Sequence, residues 1–121
     1  MSDAPLLMVV DDGPSVLLLV DVLAEKMGFR VKAVSSGLQA LEQLRDGLQP
    51  AVILLDIMME RIDGLTFMNH LREMPAVEET PVIAMSTAAV LERYGEQLQV
   101  NGTLLKPITA STLTQAIGRY R

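Results

Sequence analysis

A chain of 121 residues is the size of one domain, and with 50% hydrophobic and 21% charged residues and a mean hydropathy of +0.32 it is neither disordered nor of low complexity. The absence of cysteine and the single histidine exclude disulfides, thiolate metal centres and histidine-rich metal sites. A net charge of −5 with only three lysines speaks against direct nucleic-acid binding. No apolar run approaches the roughly 20 residues of a membrane span, and Met1–Pro5 lacks the features of a signal peptide, so the expectation is a soluble cytoplasmic domain, 1–121, with an aliphatic core.

Leu6–Val10 is an apolar run ending at Asp11 and Asp12, the pattern of a strand buried on both faces. Pro14 suits the first turn of a helix that runs to about Met27 and stops at Gly28. On that helix Val16, Leu19, Val20, Leu23 and Met27 make an inward face, which turns Leu17, Leu18 and Val22 outward. Arg30–Val34 alternates as a second strand. Ser36 is the expected N-cap of a helix over Gly37–Asp46, with Leu38, Leu41 and Leu44 on its apolar face. Ala51–Leu55 is the third buried strand and leads to Asp56.

A loop over Ile57–Asp63 follows, then a helix over Gly64–Met74 with Leu65, Met68 and Leu71 on one face, ended by Pro75. Pro81–Met85 reads as strand four, leading to Ser86 and Thr87. Ala88–Leu98 is a weaker helix containing Gly95. Gly102–Leu105 is strand five, leading to Lys106 and Pro107. Thr109 caps a last helix in which Leu113, Ala116, Ile117 and Tyr120 share a face. Five strand–helix repeats imply an α/β fold with a parallel sheet covered by helices on both faces.

In such a sheet the site lies beyond the carboxyl ends of the strands. Asp11, Asp12, Asp56, Ser86, Thr87 and Lys106 all fall there. Three carboxylates in one crevice repel one another and call for a cation; oxygen ligands alone suit Mg²⁺. A carboxylate is also a nucleophile able to form an acyl phosphate, and a lysine and a hydroxyl beside it suit the oxygens of a phosphoryl group.

The segments M-V-V-D-D, L-L-D-I-M-M-E-R-I-D-G, P-V-I-A-M-S-T-A and L-L-K-P, in this order and each at a strand end, resemble the receiver domains of two-component response regulators over nearly the whole chain. The resemblance implies a flavodoxin-like, doubly wound five-stranded sheet of order 2-1-3-4-5. It implies that Asp56 accepts a phosphoryl group from a sensor histidine kinase or histidine phosphotransfer protein. Mg²⁺ would be held by Asp11, Asp12, Asp56 and the Met58 carbonyl. Ser86 would be the switch hydroxyl, Lys106 the partner of the phosphoryl oxygens, and Lys106–Pro107 a cis bond. Gly64 would open the third helix. A conformational change that regulates a partner would follow, with room for a homodimer, and with no direct contact to nucleic acid or membrane. The chain would catalyse only its own phosphorylation and dephosphorylation.

Some positions depart from the pattern. Glu60 and Arg61 stand where Pro and Gly are common, Gly13 replaces a frequent acidic residue, and Thr103 replaces the usual aromatic switch. Competing readings are weaker. A haloacid-dehalogenase-type phosphatase places D-x-D on its first strand, whereas here that strand ends D-D-G. A flavodoxin needs a hydroxyl- and glycine-rich loop that D-D-G-P-S does not supply. A non-phosphorylated interaction module would lack one of the acidic residues or the lysine. His70, Glu42, Glu78 and Glu79 read as solvated, and most methionines as core filler, with Met58 and Met59 in the site loop as exceptions.

Overall fold

The structure, a computed structural model, describes residues 3–59 and 62–121. Strands β1 (Leu6–Val10), β2 (Arg30–Val34), β3 (Val52–Asp56), β4 (Val82–Ser86) and β5 (Gly102–Leu105) alternate with helices α1 (Pro14–Lys26), α2 (Gly37–Arg45), α3 (Gly64–Arg72), α4 (Ala88–Leu98) and α5 (Ala110–Ile117), and Gly118–Tyr120 closes with a 3-10 turn. All pairings are parallel and the order is β2-β1-β3-β4-β5, as expected. β3 and β4 each sit one residue later than expected, so Asp56 and Ser86 are the last residues of their strands rather than the first beyond them.

Side chains alternate between the two faces of the sheet. Met8, Val10, Ile53, Leu55 and Ala84 pack under α2, α3 and α4, with Phe67 fully buried among them. Leu7, Val9, Leu54, Ile83 and Met85 pack under α1 and α5, against Val20, Ala24, Leu113 and Ile117. Each buried Val, Leu, Ile, Met or Phe among them contributes about 1.5–3 kcal/mol.

Helix starts are set locally. Ser36, Asp63 and Thr109 each accept a hydrogen bond from the backbone N–H three residues on, and Pro14 opens α1 behind Gly13. The helix ending at Gly28 is explained by its φ of 100°, a left-handed conformation that only glycine takes without strain.

Three expected faces are corrected. On α1, Leu17 packs against the core and Leu19 is exposed, so the outward strip is Leu18, Leu19 and Val22. On α2 and α3, Leu38 and Leu65 are exposed, and Gly37 and Gly64 are the buried first residues instead. A Cβ on Gly37 would meet Ile62 Cγ2 at 2.5 Å, and one on Gly64 would meet Ile57 Cβ at 2.8 Å. The loop after β3 therefore closes onto both helices where they lack side chains. The third helix also ends at Arg72, short of Met74.

Candidate functional site at the carboxyl edge of the sheet

The loop following β1 begins with Asp11, whose backbone N–H continues the pairing to the Val34 carbonyl at 3.2 Å. The residue is 1% exposed, and its Oδ1 accepts the Gly13 N–H at 2.7 Å. Asp56, 5% exposed, ends β3, and its Oδ1 accepts the Met58 N–H at 3.1 Å. Lys106 follows β5 and is held there by its backbone N–H donating to the Ser86 carbonyl at 3.0 Å. From that position its ammonium donates to Asp11 Oδ2 at 2.8 Å and lies 3.4 Å from Asp56 Oδ2. The peptide bond before Pro107 is cis, as expected.

Asp12 is exposed at the mouth, and one carboxylate oxygen from each of Asp11, Asp12 and Asp56 lies within 4.8 Å of the others. Three carboxylates against one ammonium leave a cleft that is two charges negative. Burial, the largest influence, pushes the Asp56 carboxyl above its usual range, and the Asp11 charge adds to it. The Met58 N–H and Lys106 oppose that rise without cancelling it. Burial alone would lower Lys106, but its hydrogen bond to Asp11 and the charges of Asp56 and Asp11 outweigh it, so its ammonium is held above the usual lysine range.

Ser86 is buried at the end of β4, in register beside Leu105. Thr103 is exposed on β5, with no ring at that position. Met58 is exposed to 57% while its neighbours Ile57 and Met59 are buried, so the methionine pair of this loop divides between surface and core. Glu60 and Arg61 lie outside the described residues. His70, Glu42, Glu78 and Glu79 are exposed, as read from the sequence. The structure thus gathers Asp11, Asp12, Asp56 and Lys106 in one cleft and sets Ser86 at the end of the strand next to β3. What sequence reasoning missed is the Gly13 N–H on Asp11 and the direct Lys106–Asp11 bridge; the D-D-G spacing was the only available signal for the first.

Among the described residues no helix is long and apolar enough to cross a membrane. Residues 7–118 match the family model of the response regulator receiver domain. The signal transduction histidine-protein kinase BarA of Escherichia coli strain K12 is 35% identical over 117 residues, which cover 94% of this chain but only 12% of that kinase. Among solved structures, the chemotaxis response regulator CheY4 of Vibrio cholerae superposes with a TM-score of 0.88 at 24% identity, covering 98% of this chain and 99% of CheY4. The receiver domain of a Pseudomonas aeruginosa sensor histidine kinase, with a magnesium ion coordinated in its active site cleft, superposes with a TM-score of 0.86 at 23% identity, covering 97% of each chain. With its strand order and the match over residues 7–118, the chain belongs to the response regulator receiver domains, signalling domains of two-component systems.

Proposed function

We propose that residues 1–121 form a single receiver domain that acts in the cytoplasm and accepts a phosphoryl group on Asp56 from a phosphohistidine of a sensor kinase or phosphotransfer protein. The observation that carries this reading is the Lys106 ammonium bridging Asp11 and Asp56, with Asp12 completing the acidic cleft. In the transfer, a carboxylate oxygen of Asp56 forms the new P–O bond as the P–N bond to the donor imidazole breaks. Such a reaction demands positioning and charge neutralisation more than covalent help from the protein. The Met58 N–H fixes the Asp56 carboxylate, Lys106 neutralises phosphoryl oxygens, and the Ser86 hydroxyl donates to one of them.

The donor set fits Mg²⁺: oxygen ligands only, clustered within 4.8 Å, with Asp12 on the solvent side leaving room for waters. Asp11, Asp12 and Asp56 would hold the ion, with the Met58 carbonyl as a further ligand. When bound it neutralises the charge that builds on the phosphoryl group. On α1 the apolar strip of Leu18, 68% exposed, with Leu19 and Val22 runs away from the Asp12 end of the site and offers a helical phosphodonor a surface to dock on.

The test is labelling by acetyl phosphate with and without Mg²⁺, read on a phosphate-affinity gel. Labelling should require the metal and vanish in Asp56→Asn. Equal labelling of the variant would overturn the reading.

A further inference from the structure

A groove of about 450 Å³ opens beside the acidic cleft, between the start of α2 and the loop after β3. Leu38, Met59 and Ile62 give it an apolar wall, and Asp12, Ser36 and Glu42 give it a polar one. Its two charged groups are both carboxylates, and among the described residues no basic side chain lines it. Met59 and Ile62 are buried against the first turn of α2, with Gly37 making room for Ile62, so the wall is preformed. Leu38 stands half out of it, 48% exposed.

Resting on the phosphoacceptor reading, we propose that this groove receives an arginine or lysine of the phosphodonor protein. Two observations select that occupant. The lining divides between an apolar wall and a polar one whose only charges are the Asp12 and Glu42 carboxylates, which suits a side chain with a hydrocarbon stem and a cationic head. The groove is also continuous with the phosphoacceptor cleft through Asp12, so a donor that brings its phosphohistidine to Asp56 spans both. The stem lies along Leu38, Met59 and Ile62. The head pairs with Glu42, which leaves Asp12 to the metal. The contact orients the donor and selects among donors by charge, and a small donor such as acetyl phosphate does not use it.

The experiment compares two donors on the same proteins: acetyl phosphate, and the sensor kinase that phosphorylates this chain fastest in a panel of purified, autophosphorylated kinases. Transfer from the kinase should slow about ten-fold in Glu42→Lys, less in Glu42→Gln, and the gap should narrow as salt is raised. Leu38→Ser should slow it about three-fold, since only part of an exposed apolar contact is lost. Acetyl phosphate labelling should be unchanged in all three, which also reports that they fold. Replacing the matching basic residue of the kinase by Glu should restore transfer to Glu42→Lys. Unchanged kinase transfer in Glu42→Lys, with acetyl phosphate labelling intact, would overturn the groove proposal and leave the phosphoacceptor reading standing. Rescue of Glu42→Lys by Arg61→Glu would also overturn it, by making the occupant a residue of this chain. Failure of wild type to be labelled by either donor would overturn both.

Discussion

The two halves of the sheet's carboxyl edge are held in different ways. At the ends of β1 and β3, Asp11 and Asp56 are buried, each has one oxygen fixed by a backbone N–H two residues on, and both share Lys106. At the end of β4 the chain turns into α4 through Thr87, whose side chain makes no capping bond, and α4 ends at Gln99 with a φ of 54°. By contrast α2, α3 and α5 are each capped by a side chain, α5 by a reciprocal pair between Thr109 and Thr112. Most of α4 is exposed; Leu98 is its buried anchor, with Val90, Leu91 and Tyr94 half-buried. Under the proposed function this difference would separate chemistry from response. The carboxylates and the lysine are positioned in advance, while α4 has no side-chain cap and is largely exposed, which makes it easier to shift.

The two halves meet at Met58. Its N–H holds Asp56, and its side chain lines a cleft of about 250 Å³ whose far wall is Tyr94 and Leu98 of α4. Met58 thus ties the Asp56 carboxylate to a cleft that α4 also lines, a link that does not involve position 103. A shift of α4 would require contacts that differ between its two positions, and under the proposed function those would begin at Ser86 and Met58.

The largest expected effect of breaking this arrangement is on the fixed half. Lys106→Met removes the counterion of two buried carboxylates and should cost about 2–3 kcal/mol of stability at neutral pH, measured by urea unfolding. Because the folded-state lysine is held above its ordinary value of 10.5, its contribution is complete below that pH and is lost as pH rises through the raised value. Wild type should accordingly lose stability in that alkaline window, and Lys106→Met should not.

Asp56→Asn should act in the opposite direction. The Asp56 carboxyl is raised in the folded protein above its ordinary value of 3.8, so the protonated form is favoured by folding. Its stabilising contribution is present below the ordinary value and is lost as pH rises through the raised one, leaving the ionised group a net cost at neutral pH. The variant should therefore be more stable than wild type, with a higher Tm, without metal. Adding Mg²⁺ should close that gap by stabilising wild type, and chelation should reopen it. A variant no more stable than wild type in chelator would show that the acidic half is not strained by its charges.

The site was more legible in the sequence than were the helix faces. Acidic, hydroxyl and basic residues at the ends of apolar strands stand out because an apolar run makes its boundary plain, and the structure places Asp11, Asp12, Asp56, Ser86 and Lys106 at or just beyond those strand ends. The rotation of α1 was not legible, since Val16–Val20 is apolar all round and periodicity cannot choose between Leu17 and Leu19. Leu38 and Leu65 misled for another reason. Both lie in the first turn of a helix, at the rim of the sheet, where the inner position belongs to Gly37 or Gly64 and a loop packs in place of a side chain. Such close approaches depend on the fold of the loop after β3 and leave no periodic trace.

The smallest expected effect concerns the loose half. Gln99 carries the only left-handed φ among non-glycine residues described, and Gln99→Gly should relieve it, stabilising the end of α4 by about 0.5–1 kcal/mol. Slower amide exchange confined to α4 and β5 would report it. If the variant also slows α4's response to phosphorylation, the looseness of α4 is part of the signal.

Hydrogen exchange, read by mass spectrometry before and after phosphorylation with acetyl phosphate and Mg²⁺, tests the division between the two halves most directly. The largest change in protection should fall in residues 87–99, with β1 and β3 unchanged and no response in Asp56→Asn. A response centred on β1 and β3 with α4 silent would contradict it.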